Sequence, residues 1–164
     1  AAAVVVACLS SAVTFWATRP TLEAGPWFDY VAAYQALYTT ETLSQVPADR
    51  DDLAAELTRA TAAVGRQIDL SVVNALPGLT YKRAQILGFN GRQLAQLTFL
   101  DEDGDPIAIC VIPSDAGDMT AHTADLEGMA SERWIDKGHA FLIIGGNDQA
   151  QVSTIASRFR ERVS

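Results

Sequence analysis

Residues 94 to 112, LAQLTFLDEDGDPIAICVI, decide the fold of this chain. In the first part, Ala95, Leu97 and Phe99 alternate with polar residues, which is typical of a strand with one buried face and one wetter face. The last part, PIAICVI, is apolar on both faces and indicates a central, doubly buried strand. Two such strands joined by a short acidic segment predict a β-hairpin.

The acidic segment DEDGD also invites a calcium-loop interpretation. An EF-hand loop requires Gly at its sixth position and a carboxylate at its twelfth. Counted from Asp101, the glycine is fourth, Pro106 is sixth and Ile112 is twelfth. The ligand frame therefore fails, and we interpret the segment as the solvated turn between two strands.

Further strands are predicted on both sides of this hairpin. Residues 80–89 read as a strand, and Asn90-Gly91 is the sequence preferred by a two-residue type I′ turn. SERWID and HAFLII form a last hairpin that turns at Asp136-Lys137-Gly138, whereas residues 113–127 are interpreted as an irregular polar excursion.

Helical patterns occupy the N-terminal half and the C-terminus. Residues 27–38 and 49–66 have apolar positions at helical spacing, and Val152, Ile155, Ala156 and Phe159 mark a final helix. We therefore predict an α+β fold, with a helical N-terminal half, an antiparallel β-meander of about five strands, and a C-terminal helix packed on the sheet.

The first of these helices is rich in aromatic residues. Its stripe consists of Trp27, Tyr30, Val31, Tyr34, Leu37 and Tyr38. We interpret the stripe mainly as core; the alternative is a surface whose Tyr and Trp side chains reach lipid headgroups.

Charge and cysteine content restrict the function classes. The chain of 164 residues has a net charge of −8, which disfavours nucleic-acid binding because a polyanion would be repelled. Its two cysteines, Cys8 and Cys110, form no CxxC pair and are expected to be buried thiols.

No motif predicts catalysis, a metal or a cofactor. Gly145-Gly146-Asn147-Asp148 lacks the phosphate-binding glycine patterns, so Asp148 is interpreted as a helix cap. His122 and His139 lack metal-ligand spacing and are both expected to be exposed. We therefore expect a non-enzymatic protein.

Residues 1–17 contain no charged side chain. A helix of this length reaches about 25 Å, slightly less than a hydrocarbon core of ~30 Å. Because the sequence begins with Ala1 rather than Met, we expect a membrane helix that further upstream residues complete. The alternatives are a signal peptide and a buried soluble helix. This interpretation divides the chain into a truncated transmembrane helix, 1–19, and an extracytoplasmic α+β domain, 20–164.

Several segments, in order, resemble the extracytoplasmic part of bacterial transmembrane anti-sigma factors, a family of transmembrane transcriptional regulators. After the apolar run come VAAYQALYTTET, DDLAAELTRATAAVGRQIDLS, the hairpin region LPGLTYKRAQILGFNGRQLAQLTFLDEDGDPIAICVI and finally WIDKGHAFLIIGG. These are packing and turn patterns that cover most of the chain. The sequence has no counterpart of the cytoplasmic sigma-binding helices and no zinc-ligating His/Cys/Cys set, so no binding residues can be transferred from the family.

The resemblance implies a single-pass protein of the inner membrane whose sensing domain faces the periplasm. The sigma factor would be bound by a cytoplasmic domain outside this sequence, and a periplasmic protein is a further candidate partner. We select Trp27, Tyr34 and Tyr38 as candidate partner-binding residues. The runner-up is a soluble periplasmic or secreted domain that binds a small ligand in a pocket lined by Trp134, Tyr81 or Phe141.

Overall fold

The computed structural model describes residues 26–46 and 49–163. Its helices are α1 (Trp27–Gln35), α2 (Thr40–Ser44), α3 (Arg50–Ala63), α4 (Leu70–Val73) and α5 (Gln149–Val163). Its strands are β1 (Thr80–Phe89), β2 (Arg92–Leu100), β3 (Pro106–Pro113), β4 (Met119–Leu126), β5 (Met129–Asp136) and β6 (His139–Gly145). All neighbouring strands pair antiparallel in one sheet, in the order β1-β2-β3-β6-β5-β4. The predicted α+β class is confirmed.

Both faces of this sheet are covered by helices. On one face Leu97, Ile109 and Ile143 pack in the larger core with α3 and α5. On the other face Cys110 and Leu142 pack in a second core with residues of α1. The central strands β3 and β6 are buried on both faces, as their continuous apolar sequences predict.

The hairpin turns are set by backbone conformations that glycine tolerates. Asn90-Gly91 has φ angles of 48° and 77°, and Lys137-Gly138 has 48° and 76°. Two successive positive φ values are the mark of a type I′ turn, which matches the twist of the flanking strands. The predicted hairpins at these two positions are confirmed.

The acidic segment forms the predicted turn between β2 and β3. One carboxylate oxygen of Asp101 accepts hydrogen bonds from the backbone N–H groups of Asp103 at 3.0 Å and Asp105 at 2.7 Å. The Thr40 hydroxyl of α2 donates to the carbonyl of Gly104 at 2.7 Å. The turn is therefore organised by its own carboxylate and by a neighbouring helix.

The prediction of about five strands missed β4. The structure contains a sixth strand over Met119–Leu126, within the segment interpreted as irregular. β4 is an edge strand and most of its side chains are exposed, so it needs no apolar alternation and gives a weak sequence signal. The clearest indication of β4 is the Glu127-Gly128 turn that follows it, with φ angles of 52° and 76°.

The cap predicted at Asp148 is confirmed and Asp49 caps α3 in the same way, whereas α1 ends at Gln35, three residues before the predicted end at Tyr38. The Asp49 side chain accepts hydrogen bonds from the N–H groups of Asp51 and Asp52 at the start of α3. Asp148 likewise accepts from Ala150 at 2.8 Å and Gln151 at 3.2 Å. Both caps satisfy donors that a helix leaves unpaired at its first turn.

The prediction that both histidines are exposed was right for His122 and wrong for His139. His122 is exposed on β4, whereas His139 is partly buried. The Nε2 atom of His139 lies 2.9 Å from the carbonyl oxygen of Val64. Its imidazole thus connects the end of α3 to the start of β6, a contact that the local sequence does not reveal.

Cys110 is fully buried, as predicted. The predictions made for residues 1–19, including Cys8, lie outside the described residues. Among residues 26–46 and 49–163, no helix has the length and apolar character needed to cross a membrane.

A substitution at Gly145 tests how closely β6 packs against β3. A Cβ atom at this position would lie 2.2 Å from the carbonyl oxygen of Pro106, and the φ angle of 143° disfavours side chains. We expect Gly145→Ala to lower the free energy of unfolding by about 2–4 kcal/mol in equilibrium urea denaturation. Gly88→Ala is the matched control, because a Cβ at Gly88 meets nothing within 4 Å. Equal stability of the two variants would contradict this packing.

Candidate functional site

The helix α1 uses one side to pack on the sheet and leaves the other side exposed. Val31, Ala32 and Gln35 are its buried residues, and their spacing places them on one face. Tyr30 and Tyr34 retain exposed fractions of 48% and 37%. Large aromatic side chains therefore lie on the surface of the element that covers the second sheet face.

These tyrosines border a groove between α1 and the β1–β2 hairpin, which we call the aromatic groove. The groove has a volume of about 230 Å³. The rings of Tyr30 and Phe89 lie 5.5 Å apart and join the helix to the hairpin. The lining residues are Trp27, Tyr30, Val31 and Tyr34 from the helix and Leu87, Gly88, Phe89 and Leu94 from the hairpin.

A chain of glutamine side chains fixes α1 to the sheet beside this groove. The Gln35 amide donates to the carbonyl of Pro106 at 3.2 Å, and the Gln96 amide donates to the Gln35 side-chain oxygen at 3.2 Å. The Gln85 amide then donates to the Gln96 side-chain oxygen at 2.6 Å. Gln35 and Gln96 are both buried, so each amide depends on these partners. The chain sets the position of α1 more specifically than apolar packing alone.

The glutamine chain ends at two tyrosine hydroxyls. The Gln85 amide lies 2.8 Å from the Tyr38 hydroxyl and 3.3 Å from that of Tyr34. Burial, followed by the neighbouring Tyr34, raises the pKa of Tyr38 to about 12. Hydrogen bonding with Tyr38, and then with Gln85, lowers the pKa of Tyr34. The pair thus loses its first proton at Tyr34.

The three candidate partner-binding residues have different roles. Trp27 and Tyr34 line the same groove. Tyr38 is partly buried and belongs to the hydrogen-bonded chain, with its ring 5.6 Å from that of Tyr34. The interpretation of the aromatic stripe as mainly core was wrong for Tyr30, Tyr34 and Leu37, which are all exposed. The buried face is formed instead by small, aliphatic and amide side chains.

The sequence did not identify the residues of the β1–β2 hairpin that line the groove. Leu87 and Phe89 face α1, and Ile86 points to the opposite face of β1, where it is exposed. The signal was present in the run ILGF, which is apolar on both faces at the end of an edge strand. Such a run is unusual where one face is expected to be wet.

The pocket that would favour a small-ligand binder is not formed by the three residues expected to line it. Trp134 borders an open groove of about 280 Å³ beside Met119 and Val163. Phe141 is fully buried and stacks on Trp134 at 5.0 Å, and Tyr81 is buried against Phe99. These three rings therefore belong to the core, and Trp134 also borders a surface groove.

The buried carboxylate of Glu132 has a structural partner. It is the only charged side chain that is buried among the described residues, and it accepts a hydrogen bond from Arg160 at 2.7 Å. The guanidinium of Arg160 also lies 5.0 Å from the centre of the Trp134 ring. Within the part of the chain that the structure describes, no three or more His, Cys, Asp or Glu side chains are placed to hold a metal ion.

In comparisons with known proteins, neither a protein-family model nor a curated protein sequence matches this chain.

The glutamine chain can be tested by a double-mutant cycle. Gln96→Leu leaves the buried Gln35 side-chain oxygen without its donor and removes one acceptor of the Gln85 amide, so we expect it to cost about 1–3 kcal/mol of unfolding free energy. Gln35→Leu combined with Gln96→Leu should cost less than the sum of the single variants, because the double variant removes both ends of one bond. Gln93→Leu is the control at an exposed position of the same strand. Strict additivity would argue against the chain.

The tyrosine pair can be tested by NMR titration of ring-labelled tyrosine. We expect Tyr38 to ionise near pH 12 and Tyr34 to ionise first. Since a raised pKa means that the folded state holds its proton longer, the contribution of Tyr38 to stability is lost as the pH rises from about 10 to 12. Tyr34→Phe removes one cause of the shift and should lower the pKa of Tyr38. An unchanged Tyr38 titration in that variant would refute the coupling.

Proposed function

We propose that this chain is the extracytoplasmic regulatory domain of a membrane-anchored anti-sigma factor. Residues 1–17 contribute to its single membrane span, and the α+β domain faces the periplasm. The domain controls transcription by binding a partner or responding to an envelope signal at its aromatic groove. The sigma factor is bound by a cytoplasmic domain outside this sequence.

One observation carries the proposal: the first described helix after the uncharged segment exposes aromatic side chains. Tyr30 and Tyr34 on α1, together with Leu37 just beyond its end, are three of the five large hydrophobic side chains that are exposed among the described residues. Apolar exposure concentrated in one place is typical of an interaction surface. Its position directly after the proposed span suits a surface that communicates with the anchor.

The glutamine chain supplies a route from this surface to the sheet. Gln35, one turn beyond Val31 on α1, is linked through Gln96 on β2 to Gln85 on β1. A change in the position of α1 would break buried hydrogen bonds, which are costly to leave unmade. In this way α1 would couple a signal received at the groove to the position of the membrane anchor.

Topology is tested by fusing alkaline phosphatase after Ser164 in the full-length gene. We expect an active, membrane-associated fusion, because phosphatase folds in the periplasm. An inactive fusion that fractionates with the cytosol would disprove the proposed placement.

Regulation is tested by removing the exposed rings without disturbing the core. Tyr30→Ser with Tyr34→Ser should change the output of a sigma-dependent reporter, whereas the exposed Thr58→Ala on α3 should not. Circular dichroism and urea unfolding of both proteins control for folding. Wild-type reporter output from the folded double variant would show that the groove does not regulate.

A further inference from the structure

The aromatic groove combines an apolar floor with a rim of amphipathic rings. Val31, Leu87 and Leu94 supply aliphatic surface, and Trp27 and Tyr30 add rings that each carry a polar group. Trp and Tyr are the residues enriched where hydrocarbon meets headgroups, because one end of each ring is apolar and the other is wet. The chemistry of the surface thus matches a lipid–water interface.

Charged groups are few on the helix that forms the groove. Asp29 is the only charged residue from Trp27 to Gln35, and it is exposed. Arg92 follows the same hairpin turn on the face of β2 that carries Leu94, and its exposed guanidinium donates a hydrogen bond to the carbonyl of Pro113 at 3.2 Å. An arginine at this position is suited to lipid phosphates, whereas an acidic rim would be repelled by them.

The size of the groove argues against a small-molecule ligand. Its volume of about 230 Å³ is below the range of about 300–1,000 Å³ that is usual for ligand pockets. The groove admits one side chain or a short length of acyl chain. The surface of a lipid bilayer therefore fits the groove better than a separate small molecule.

The proposed membrane span would keep the groove close to the membrane. If residues 1–17 form part of the span, only ten residue steps separate Ala17 from Trp27. A fully extended segment of this length reaches at most about 35 Å. Such a short tether gives a local concentration of roughly millimolar, so a weak affinity for lipid is sufficient for contact.

Resting on the proposed function, we propose that the aromatic groove docks on the lipid–water interface of the membrane that holds the anchor. Trp27 and Tyr30, near the start of α1, lie at the level of the headgroups. The Tyr30–Phe89 contact lies near the start of α1, and the Gln35–Pro106 hydrogen bond lies at its end. The Asn90-Gly91 turn therefore faces the membrane and the Asp101–Asp105 turn faces away from it.

The test reconstitutes residues 1–164 carrying Trp16→Phe, with about four leucines added before Ala1 so that the apolar run can span the bilayer, into phosphatidylcholine vesicles brominated near the headgroup end of the acyl chains. Two tryptophans then remain: Trp27 at the groove and Trp134 in the core. We expect bromine to reduce the Trp27 emission by about half, because interfacial rings lie at this depth. The variant with Trp16→Phe and Trp27→Phe is the matched control, and its remaining Trp134 emission should be unaffected.

Flotation of the same vesicles separates failure of the inference from failure of the proposed function. A chain that floats but whose Trp27 is not quenched overturns lipid docking and leaves the anchor intact; a chain that does not float overturns both. An unquenched chain that forms a disulfide-linked dimer through Tyr30→Cys in a Cys8→Ser background would assign the groove to a second copy. It would thereby overturn the lipid assignment.

An environment-sensitive dye tests the orientation independently. Gln93 and Asp103 are both exposed and lie near opposite ends of β2. In the Cys8→Ser background, dye on Gln93→Cys should report a less polar medium when lipid is added, and dye on Asp103→Cys should not. Equal responses at both positions would contradict the docked orientation.

Discussion

The double burial of β3 and β6 is the constraint on which the rest of the structure depends. Residues such as Ile109 and Cys110 point to opposite faces of the sheet, and both are fully buried. A sheet whose central strands are apolar on both sides is stable only when each face is covered. α3 and α5 cover one face, and α1 is required for the other. The helix nearest the uncharged N-terminal segment is consequently part of the folded domain and not a detached linker.

Polar contacts make this second layer specific. Apolar packing alone would allow α1 to slide over the Ala108, Cys110 and Leu142 surface at little cost, since hydrophobic contact is not directional. The Gln35–Gln96–Gln85 chain removes that freedom, because displacing the helix leaves buried amides without partners. The rings of Tyr30 and Tyr34 are thereby held outward, above the groove. The two rings are exposed because the hydrogen bonds of Gln35 fix which face of α1 is buried.

The sequence predicts the parts of this fold that depend on local chemistry. The hairpin turns at Asn90-Gly91 and Lys137-Gly138, the Asp49 and Asp148 caps and the doubly apolar β3 follow from residue type and spacing. It does not reveal β4, which is stabilised by pairing with β5 rather than by burial of its own side chains. It also misplaces the aromatic stripe of α1, because helical periodicity identifies a face but not whether the large or the small residues lie inward. The groove itself is formed between segments more than fifty positions apart, a distance at which single-sequence patterns carry no information.

The central claim is that α1 belongs to the same cooperative unit as the sheet and connects it to the N-terminal segment. Native-state hydrogen exchange on residues 1–164 in lipid nanodiscs tests it directly, because protection measures the free energy of opening at each amide. The account predicts that the amides of Val31 to Gln35 exchange together with those of β6, and that Gln96→Leu weakens α1 protection more than β6 protection. Rapid exchange of α1 in the wild-type chain, with the sheet still protected, would contradict it.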